Sequence, residues 1–181
     1  HTLMTPFLSP QPNPHGPPPI YLAGFGAGMI RVAGEVADGW MVHPLHTTGY
    51  MHDVAIPALH EGLAKGGRTP ADCEISAQTI CMVGRTEEQI EKAKAAAKMQ
   101  ISFYGSTPAY RVALEHEGWG DLQPELNRMS KAGLWAEMTG LISDEMLEKI
   151  GVIGTPEEVG RRLRERNNFA ARTSVILYDE S

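Results

Sequence analysis

The chain has 181 residues, and 16 Lys and Arg against 22 Asp and Glu give a formal net charge of −6. This balance excludes a protein that binds nucleic-acid phosphates, because such binding needs clustered cations. No apolar run approaches the ~20 residues of a membrane-spanning helix. The two cysteines, Cys73 and Cys81, are too few for a disulfide framework. We therefore expect a globular cytoplasmic protein with no nucleic-acid or membrane partner.

The first 19 residues form a predicted extended connector. They include seven prolines between Pro6 and Pro19, and proline lacks the N–H that a β-ladder or helix interior needs. The chain begins with His1 instead of methionine, which indicates a piece of a longer protein. An N-terminal histidine is also typical of copper-dependent β-sandwich enzymes, but the helical periodicity of this chain argues against that class.

Residues 20–104 alternate between patterns of buried strands and amphipathic helices, as three strand–helix units. The apolar runs at residues 20–24, 40–43 and 74–83 are typical of strands buried on both faces. Helices are expected from Gly28, over residues 48–65, and from Thr86 to about Phe103. Thr86 and Gln89 fit a capping box. For the first helix, the spacing predicts a buried face with Met29, Val32, Ala33 and Val36.

Residues 105–148 interrupt the alternation as a helical excursion, and residues 149–181 form a last strand–helix unit and tail. The fourth strand is predicted at residues 149–153. Thr155 is the expected N-cap of the following helix, with Pro156 at its first position. That helix also has a predicted solvated face with Arg161, Arg162, Arg164 and Arg166. Four strand–helix units indicate a parallel sheet, either half of an eight-stranded barrel or a small open sheet.

A glycine-rich corner at residues 24–28 (GFGAG) joins the first strand to the first helix. Backbone N–H groups at a helix N-terminus attract anions, and glycine lets a phosphate approach without a Cβ in the way. The same residues also fit a plain strand-to-helix turn, and the dinucleotide pattern G-x-G-x-x-G is incomplete. From these residues alone, both interpretations remain open.

Four segments, taken together, carry a specific resemblance. They are PPPIYLAGFGAGMIRVAGEVADGW, FYGSTPAYR, HEGWGDLQPELN and VIGTPEEVGRRL, in this order through nearly the whole chain. The sequence resembles the C-terminal half of the bacterial-luciferase-like monooxygenase superfamily, and within it the branch of deazaflavin (coenzyme F420)-dependent oxidoreductases. The resemblance implies an α/β fold, a (β/α)8 TIM barrel. This chain would supply strands five to eight and lack the first half.

The resemblance also implies a function, namely hydride transfer between a cofactor and a small organic substrate. The cofactor would be coenzyme F420, with FMN as the alternative. In the family the corner described above holds the phosphate end of the cofactor. Its residues here are Gly24, Phe25, Gly26, Ala27 and Gly28. Because the family's catalytic groups come mostly from the first half, this chain alone is expected to be inactive. It would need the missing N-terminal half as a partner, and open strand edges favour association, including a homo-oligomer.

Four further residues are candidates for substrate binding. His43 and His46 lie at the carboxyl end of the second strand, where barrel enzymes place their active sites. The resemblance puts His43 beside the substrate, where it is the one weak candidate for a catalytic, proton-handling group. Tyr104 can donate a hydrogen bond and Arg111 can pair with an anionic group, with a packing cluster and a solvated arginine as the alternative. Two histidines without a third ligand do not define a zinc site, so no metal is predicted.

A different class of protein stays open as an alternative. It is a non-catalytic α/β module whose glycine corner binds a phosphorylated ligand or merely turns the chain. The two classes differ in whether a deazaflavin or flavin is bound at that corner.

Overall fold

Five strands and nine α-helices follow one another in the computed structural model, which describes residues 14–178. The copper alternative at His1 and most of the predicted connector lie outside these residues. The strands are β1 (Tyr21–Ala23), β2 (Gly39–Val42), β3 (Glu74–Val83), β4 (Val152–Gly154) and β5 (Arg172–Tyr178). The helices are α1 (Ala27–Val36), α2 (Thr48–Tyr50), α3 (Ile56–Lys65), α4 (Glu87–Gly105), α5 (Arg111–His116), α6 (Leu122–Lys131), α7 (Trp135–Met138), α8 (Asp144–Ile150) and α9 (Pro156–Arg166). A π-helical turn, Met51–Ala55, joins α2 to α3.

All described strand pairs are parallel, as the strand–helix alternation predicts. β1 pairs with β2, and β2 pairs with the first half of β3. β5 pairs with β3 from Ser76 to Met82, and β4 pairs with the last three residues of β3. Ser76 and Ala77 of β3 pair with both β2 and β5, and Cys81 and Met82 of β3 pair with both β4 and β5. β5 must therefore lie along one edge of β3, and β2 and β4 along the other. Within the described residues, β1, β4 and β5 each pair with only one strand.

One face of this sheet packs against helices α1 and α3. Trp40 pairs with Ile75 and Val42 with Ala77 in the register of β2 and β3, so these side chains point to the same face. They belong to one hydrophobic cluster with residues of α1 and α3. The opposite face carries the alternate residues, among them Met41 and Gln78.

Helix α4 packs on that opposite face. Ile80 and Met82 follow Gln78 at alternate positions of β3, and they form a cluster with Ala97 and Ile101 of α4. In contrast, α9 packs beside Cys81 through Val159, which places it on the same face as α1 and α3. The connection from β3 to β5 therefore uses α9 as its crossover helix. Because α4 is not the crossover helix, the helical excursion between β3 and β4 begins with α4 at Glu87. The sequence predicted that it begins at residue 105.

The buried face of α1 differs from the predicted one. Of the predicted residues, Ala33 is fully buried, but Met29, Val32 and Val36 are 50%, 40% and 67% exposed. Ile30, which the pattern did not include, is fully buried. The cause is Gly34, where a Cβ would collide with the backbone of α3 at Leu59 and Leu63. Close contact of the two backbones turns the Gly34 side inward. The periodicity of large apolar residues therefore predicted the wrong face.

The end of the chain also differs from the prediction. Lys149 and Ile150 complete helix α8, and the fourth strand covers only Val152–Gly154. The predicted tail contains a fifth strand, Arg172–Tyr178, which pairs with β3 over seven residues. The sequence RTSVILY was missed because only one helix separates it from the short strand β4. The pattern of four strand–helix units assigned that short strand as the last one.

The predicted helix starts are confirmed. The capping box of α4 forms between Thr86 and Gln89, with the Gln89 N–H donating to Thr86 Oγ1 at 3.2 Å. The same motif forms in α9 between Thr155 and Glu158, with Pro156 at the first helical position. Both motifs form in the folded protein because each satisfies backbone N–H groups that the first turn of a helix leaves unpaired.

Candidate functional site

The corner at residues 24–28 presents a helix start whose N–H groups no side chain caps. β1 ends at Ala23 and α1 begins at Ala27, with Gly26 as its N-cap. There is no side-chain capping bond and no acidic residue in the first turn of α1. By contrast, α4 and α9 begin with a Thr capping box and two glutamates each. The first turn of α1 therefore has N–H groups free of side-chain acceptors and aimed out of the helix, the arrangement that binds anions.

The three glycines of this corner, Gly24, Gly26 and Gly28, lack a side chain for different structural reasons. A Cβ at Gly24 would lie 3.1 Å from the Cβ of Met29, so the strand and helix approach too closely for a side chain. A Cβ at Gly26 or Gly28 would meet nothing within 4 Å. Neither glycine has a positive φ. Packing and backbone strain therefore do not account for Gly26 and Gly28, whose missing side chains leave open space above the helix N-terminus.

Trp40 fixes the corner from below. Its indole Nε1–H donates to the Gly24 carbonyl at 2.9 Å, and the side chain is 1% exposed. Phe25 stacks on the buried Tyr50, with ring centroids 5.8 Å apart. Both contacts hold the backbone of the corner in place before any ligand arrives.

Beside the corner lies a cavity of about 230 Å³, at the carboxyl ends of β1 and β2 and next to Gln78 in the middle of β3. Its walls combine apolar, aromatic and polar groups, and all of them are uncharged at neutral pH. The lining residues are Ala23, Gly24, Phe25, Met41, Val42, His43, Pro44, Gln78 and Tyr110. Pockets for small molecules usually have such a composition, with a few polar groups that fix orientation.

His43 is the polar centre of this cavity. Its ring lies 4.3 Å from the Tyr110 ring, 4.6 Å from Tyr104 and 5.6 Å from Phe25, measured between centroids. Its Nδ1 accepts a hydrogen bond from the Leu45 N–H at 3.1 Å. Burial lowers the pKa of His43 to about 4, so the ring is neutral at pH 7.

His46 does not line the cavity. It is 1% exposed, and its Nδ1 lies 2.8 Å from the His43 carbonyl oxygen, to which it donates. Its Nε2 is buried without a hydrogen-bond partner among the described residues. Burial, helped by the charge of Arg166, lowers the pKa of His46 to about 3. His46 therefore supports the loop that presents His43.

The structure brings together three predicted site residues, Phe25, His43 and Tyr104, and separates Arg111 from them. The Arg111 side chain is 42% exposed and pairs with Glu115 one turn along α5, at 2.7 Å. Sequence reasoning gave no role to Gln78 and placed Tyr110 only in the inserted segment near the barrel mouth, yet both residues line the cavity. Gln78 lies inside an apolar strand, where an unexpected polar residue was the available signal. The position of Tyr110 depends on α4 crossing the face of the sheet.

The loop after β2 is held from one side by Arg166. Its Nη2 donates to the carbonyls of His46 at 2.8 Å and Ile150 at 2.9 Å, and its Nη1 donates to the Lys149 carbonyl at 2.9 Å. The prediction that Arg166 lies on a solvated face of α9 is therefore wrong, because its guanidinium is held against these carbonyls. Burial there lowers the pKa of Arg166 to about 10. Arg161 of the same helix is exposed and pairs with Glu165, as expected.

A second contact holds the same loop from the excursion. Thr47 Oγ1 donates to Glu117 at 2.5 Å, and Lys149 Nζ donates to the other oxygen of that carboxylate at 2.8 Å. Burial acts to raise the pKa of Glu117, but hydrogen bonds from Lys149, Thr47 and His116 outweigh it and lower the pKa. The site loop is thus fixed between α9 and the segment after α5.

A larger cleft, of about 630 Å³, lies between α4, α8 and α9. It contains none of the predicted site residues. Four carboxylates and three cations line it, and several of them already pair with one another, such as Lys94 with Asp144. Within residues 14–178, no group of three or more His, Cys, Asp and Glu side chains is placed to hold a metal. Nor does any helix in this range have the length and apolar character to cross a membrane.

Arg166→Ala is expected to lower the free energy of unfolding by about 2–4 kcal/mol, since it leaves the partly buried carbonyls of His46 and Ile150, and the exposed carbonyl of Lys149, without their donor. Arg166→Lys should recover only part of this loss, because a single ammonium cannot reproduce the planar fork. Urea denaturation measures both variants, with Arg164→Ala on the exposed side of α9 as the matched control. Equal losses for Arg164→Ala and Arg166→Ala would contradict the assignment.

The buried histidines predict a fall in stability at acidic pH. The unfolded His46 takes up a proton near pH 6.5, whereas the folded ring does so only at about pH 3. The unfolded state therefore binds the extra proton, and the free energy of unfolding falls as the pH drops from 6.5 towards 3. The slope contributed by one histidine reaches about 1.4 kcal/mol per pH unit.

His46→Asn keeps a donor for the His43 carbonyl and should flatten this pH dependence by up to that slope. Urea denaturation between pH 4 and pH 7 provides the measurement. Exposed His60 supplies the matched control for the substitution itself, His60→Asn. Identical slopes in the His46 variant and the parent chain would show that His46 is protonated in the folded state.

Comparisons with known proteins match this architecture. The model of one protein family, described as luciferase-like monooxygenase, matches residues 1–173. An uncharacterized protein of Mycobacterium tuberculosis is 44% identical over 166 residues, which cover 92% of this chain and 49% of the relative. A 5,10-methylenetetrahydromethanopterin reductase of Archaeoglobus fulgidus is 28% identical over 162 residues, covering 87% of this chain and 47% of the relative. The chain thus spans about half the length of the curated relatives it matches.

Two solved structures share the fold. A coenzyme F420 dependent tetrahydromethanopterin reductase from Methanopyrus kandleri matches with a TM-score of 0.69 at 24% identity, over 87% of this chain and 44% of that one. An F420-dependent secondary alcohol dehydrogenase, solved with an F420-acetone adduct, gives a TM-score of 0.62 at 18% identity, over 90% and 44% of the two chains. The predicted α/β partial barrel is thereby confirmed. Because the family model covers nearly the whole sequence, the chain belongs to the luciferase-like monooxygenase family.

Proposed function

We propose that this chain is the C-terminal half of a barrel oxidoreductase that moves a hydride between coenzyme F420 and a small organic substrate. FMN is the alternative cofactor. One observation carries the proposal: the uncapped N-terminus of α1 opens, through Gly26 and Gly28, onto space beside the cavity that holds His43. An anionic cofactor tail and a substrate would thus meet at one edge of the sheet.

The residues proposed to hold the phosphate end of the cofactor are Gly24, Phe25, Gly26, Ala27 and Gly28. Their backbone fits the group, because a Cβ at Gly26 or Gly28 would enter the space that a phosphate needs. F420 and FMN both carry a phosphate, so this corner suits either. The two solved structures named for F420 favour the deazaflavin. When bound, the cofactor supplies the hydride chemistry, and the protein orients it and excludes water.

The substrate is proposed to contact His43 and Tyr104 in the uncharged cavity. His46 acts through His43, by fixing the loop, and Arg111 is turned away by its pairing with Glu115. The cavity of about 230 Å³ lies below the usual range of roughly 300–1,000 Å³ for small-molecule sites. Half a barrel would supply only one wall of such a site. The two free cysteines, both buried, fit the reducing cytoplasm proposed as its location.

The missing half is the proposed partner. Met29, Val32 and Val36 form an exposed apolar stripe on α1, and β1 and β5 each leave one long edge unpaired in the described sheet, as does the short β4. A neighbouring helix and four further strands would cover these surfaces. Their exposure also favours poor solubility or self-association, including a homo-oligomer, when the partner half is absent.

The native gene product is therefore expected to have about twice the mass of this chain. Sequencing upstream of His1 and weighing the intact native protein would test this, with four additional strand–helix units as the expected finding. An intact native mass of 19.7 kDa would contradict it and favour the non-catalytic phosphate-binding module.

Gly26→Asp tests the phosphate site without weakening the fold. Aspartate is a preferred N-cap and suits the helix dipole, so the melting temperature should stay constant or rise. The same carboxylate would repel a phosphate, and we expect at least about tenfold weaker binding of F420. Fluorescence titration of F420 into the complete gene product measures this affinity.

Gly26→Asn is the matched control, because asparagine has the same shape and capping ability without the charge. The proposal requires a clear difference in F420 affinity between the Asn and Asp variants. Equal affinities would place the cofactor phosphate elsewhere. The binding-module alternative would instead take up inorganic phosphate with the same sensitivity to Gly26→Asp but show no affinity for the deazaflavin.

A further inference from the structure

The two ring nitrogens of His43 have different roles fixed by the backbone. Nδ1 faces the Leu45 N–H, which lies 3.1 Å away and brings its own hydrogen. A neutral imidazole carries one proton, so that proton must be on Nε2. The hydrogen bond within the His43–Leu45 turn thus selects the tautomer whose free group is an N–H donor.

The surroundings of the ring favour its neutral form. The side chains that contact the ring come from three separate elements: Phe25 in the corner, Tyr104 on α4, and Tyr110 before α5. The titratable groups facing it are the two phenols, and burial raises the pKa of Tyr104. His46 lies below the ring and donates to the His43 carbonyl. No carboxylate lines the cavity among the described residues, whereas a histidine acting as a base commonly has one to stabilise its protonated form.

We propose that His43 acts as a fixed hydrogen-bond donor through Nε2–H, and that the substrate group bound at this wall is an uncharged acceptor, a carbonyl, on an apolar or aromatic skeleton. This inference rests on the proposed function and adds the role of His43 and the substrate class. The cavity supports it because its walls offer Gln78 as a further polar group, apolar and aromatic surface, and no charge. A carboxylate or phosphate in the same position would lose its hydration without gaining a counterion.

The proposed reduction of the carbonyl to an alcohol requires no proton from His43. The carbonyl carbon receives a hydride, and the reduced cofactor that provides it is oxidised by two electrons. The π electron pair of the carbonyl moves to oxygen, which then takes a proton from water to give the alcohol. Throughout, Nε2–H donates to that oxygen and stabilises the negative charge that develops on it.

The tautomer can be measured on this chain directly. In 15N-histidine-labelled protein, the shifts and couplings of the two ring nitrogens distinguish the Nδ1–H, Nε2–H and doubly protonated forms. At pH 7 we expect His43 as the neutral Nε2–H form, and His43→Gln identifies its signals by their loss. A proton on Nδ1, or a charged ring, would overturn the proposal independently of any activity.

Kinetic variants separate a donor from a base in the complete gene product loaded with F420. A glutamine amide can donate a hydrogen bond but cannot accept a proton at neutral pH, so His43→Gln should retain kcat/KM within about threefold. His43→Phe keeps a ring without a donor and should lose about tenfold or more. Exposed His60→Gln serves as the control for the substitution itself. Equal losses in the Gln and Phe variants would identify His43 as a base and overturn the donor role.

A matched pair of probes tests the substrate class. Acetophenone and 4-acetylbenzoate carry the same ketone, and only the second has a carboxylate. We expect kcat/KM to be at least about tenfold higher for acetophenone, because the carboxylate of 4-acetylbenzoate would lose its hydration in the cavity without gaining a counterion. Comparable values, or no reduction of either ketone by protein loaded with the reduced form of F420, would overturn the assignment of an uncharged carbonyl. Loss of F420 binding itself would be a failure of the proposed function, and the fluorescence titration described above detects it separately.

Discussion

The parallel register of β1, β2 and β3 is the constraint on which the site depends. Tyr21 lies beside Gly39, and Gly39 lies beside Glu74, so the three strands run level from their amino ends. Parallel strands deliver their following loops to one edge of the sheet. The glycine corner and the loop of His43 are therefore neighbours, although 16 residues separate Gly24 from Trp40, and the Trp40–Gly24 hydrogen bond joins them.

Buried polar contacts then hold the second of these loops. Arg166 and Glu117 reach it from elements far along the chain, and each fixes backbone or hydroxyl groups next to His43. Replacing a whole contact of this kind by apolar groups would change the net stability little, since burying the charges costs much of what the hydrogen bonds return, whereas deleting one partner leaves the other unsatisfied. Their effect is geometric: the loop has one conformation in which Leu45 can donate to His43 Nδ1. Preorganised donors of this kind do not need to reorient when charge develops on a ligand.

Features that depend on a few neighbouring residues could be predicted from the sequence. The capping box of Thr86, the N-cap Thr155, the strand Glu74–Val83 and the glycine corner all belong to this group. Features that depend on contacts between distant elements could not. The buried side of α1 follows from a backbone contact at Gly34, which side-chain periodicity does not record. The burial of Arg166 requires carbonyls from another helix and another loop, so the exposed arginines of the same helix, such as Arg161 and Arg164, gave the wrong expectation.

The position of α4 has the largest consequence for function. A barrel helix would lie outside the sheet, but α4 crosses the face that carries the cavity and brings Tyr104 to within 4.6 Å of His43, between ring centroids. The aromatic wall therefore belongs to the excursion and not to the strands. Strand residues are constrained by their neighbours on both sides, whereas inserted segments tolerate change. Under the proposed function, substrate choice in this half would vary through α4 and the segment around Tyr110. The sheet fixes the corner at Gly26, and the turn from His43 to Leu45 fixes the proposed tautomer of His43.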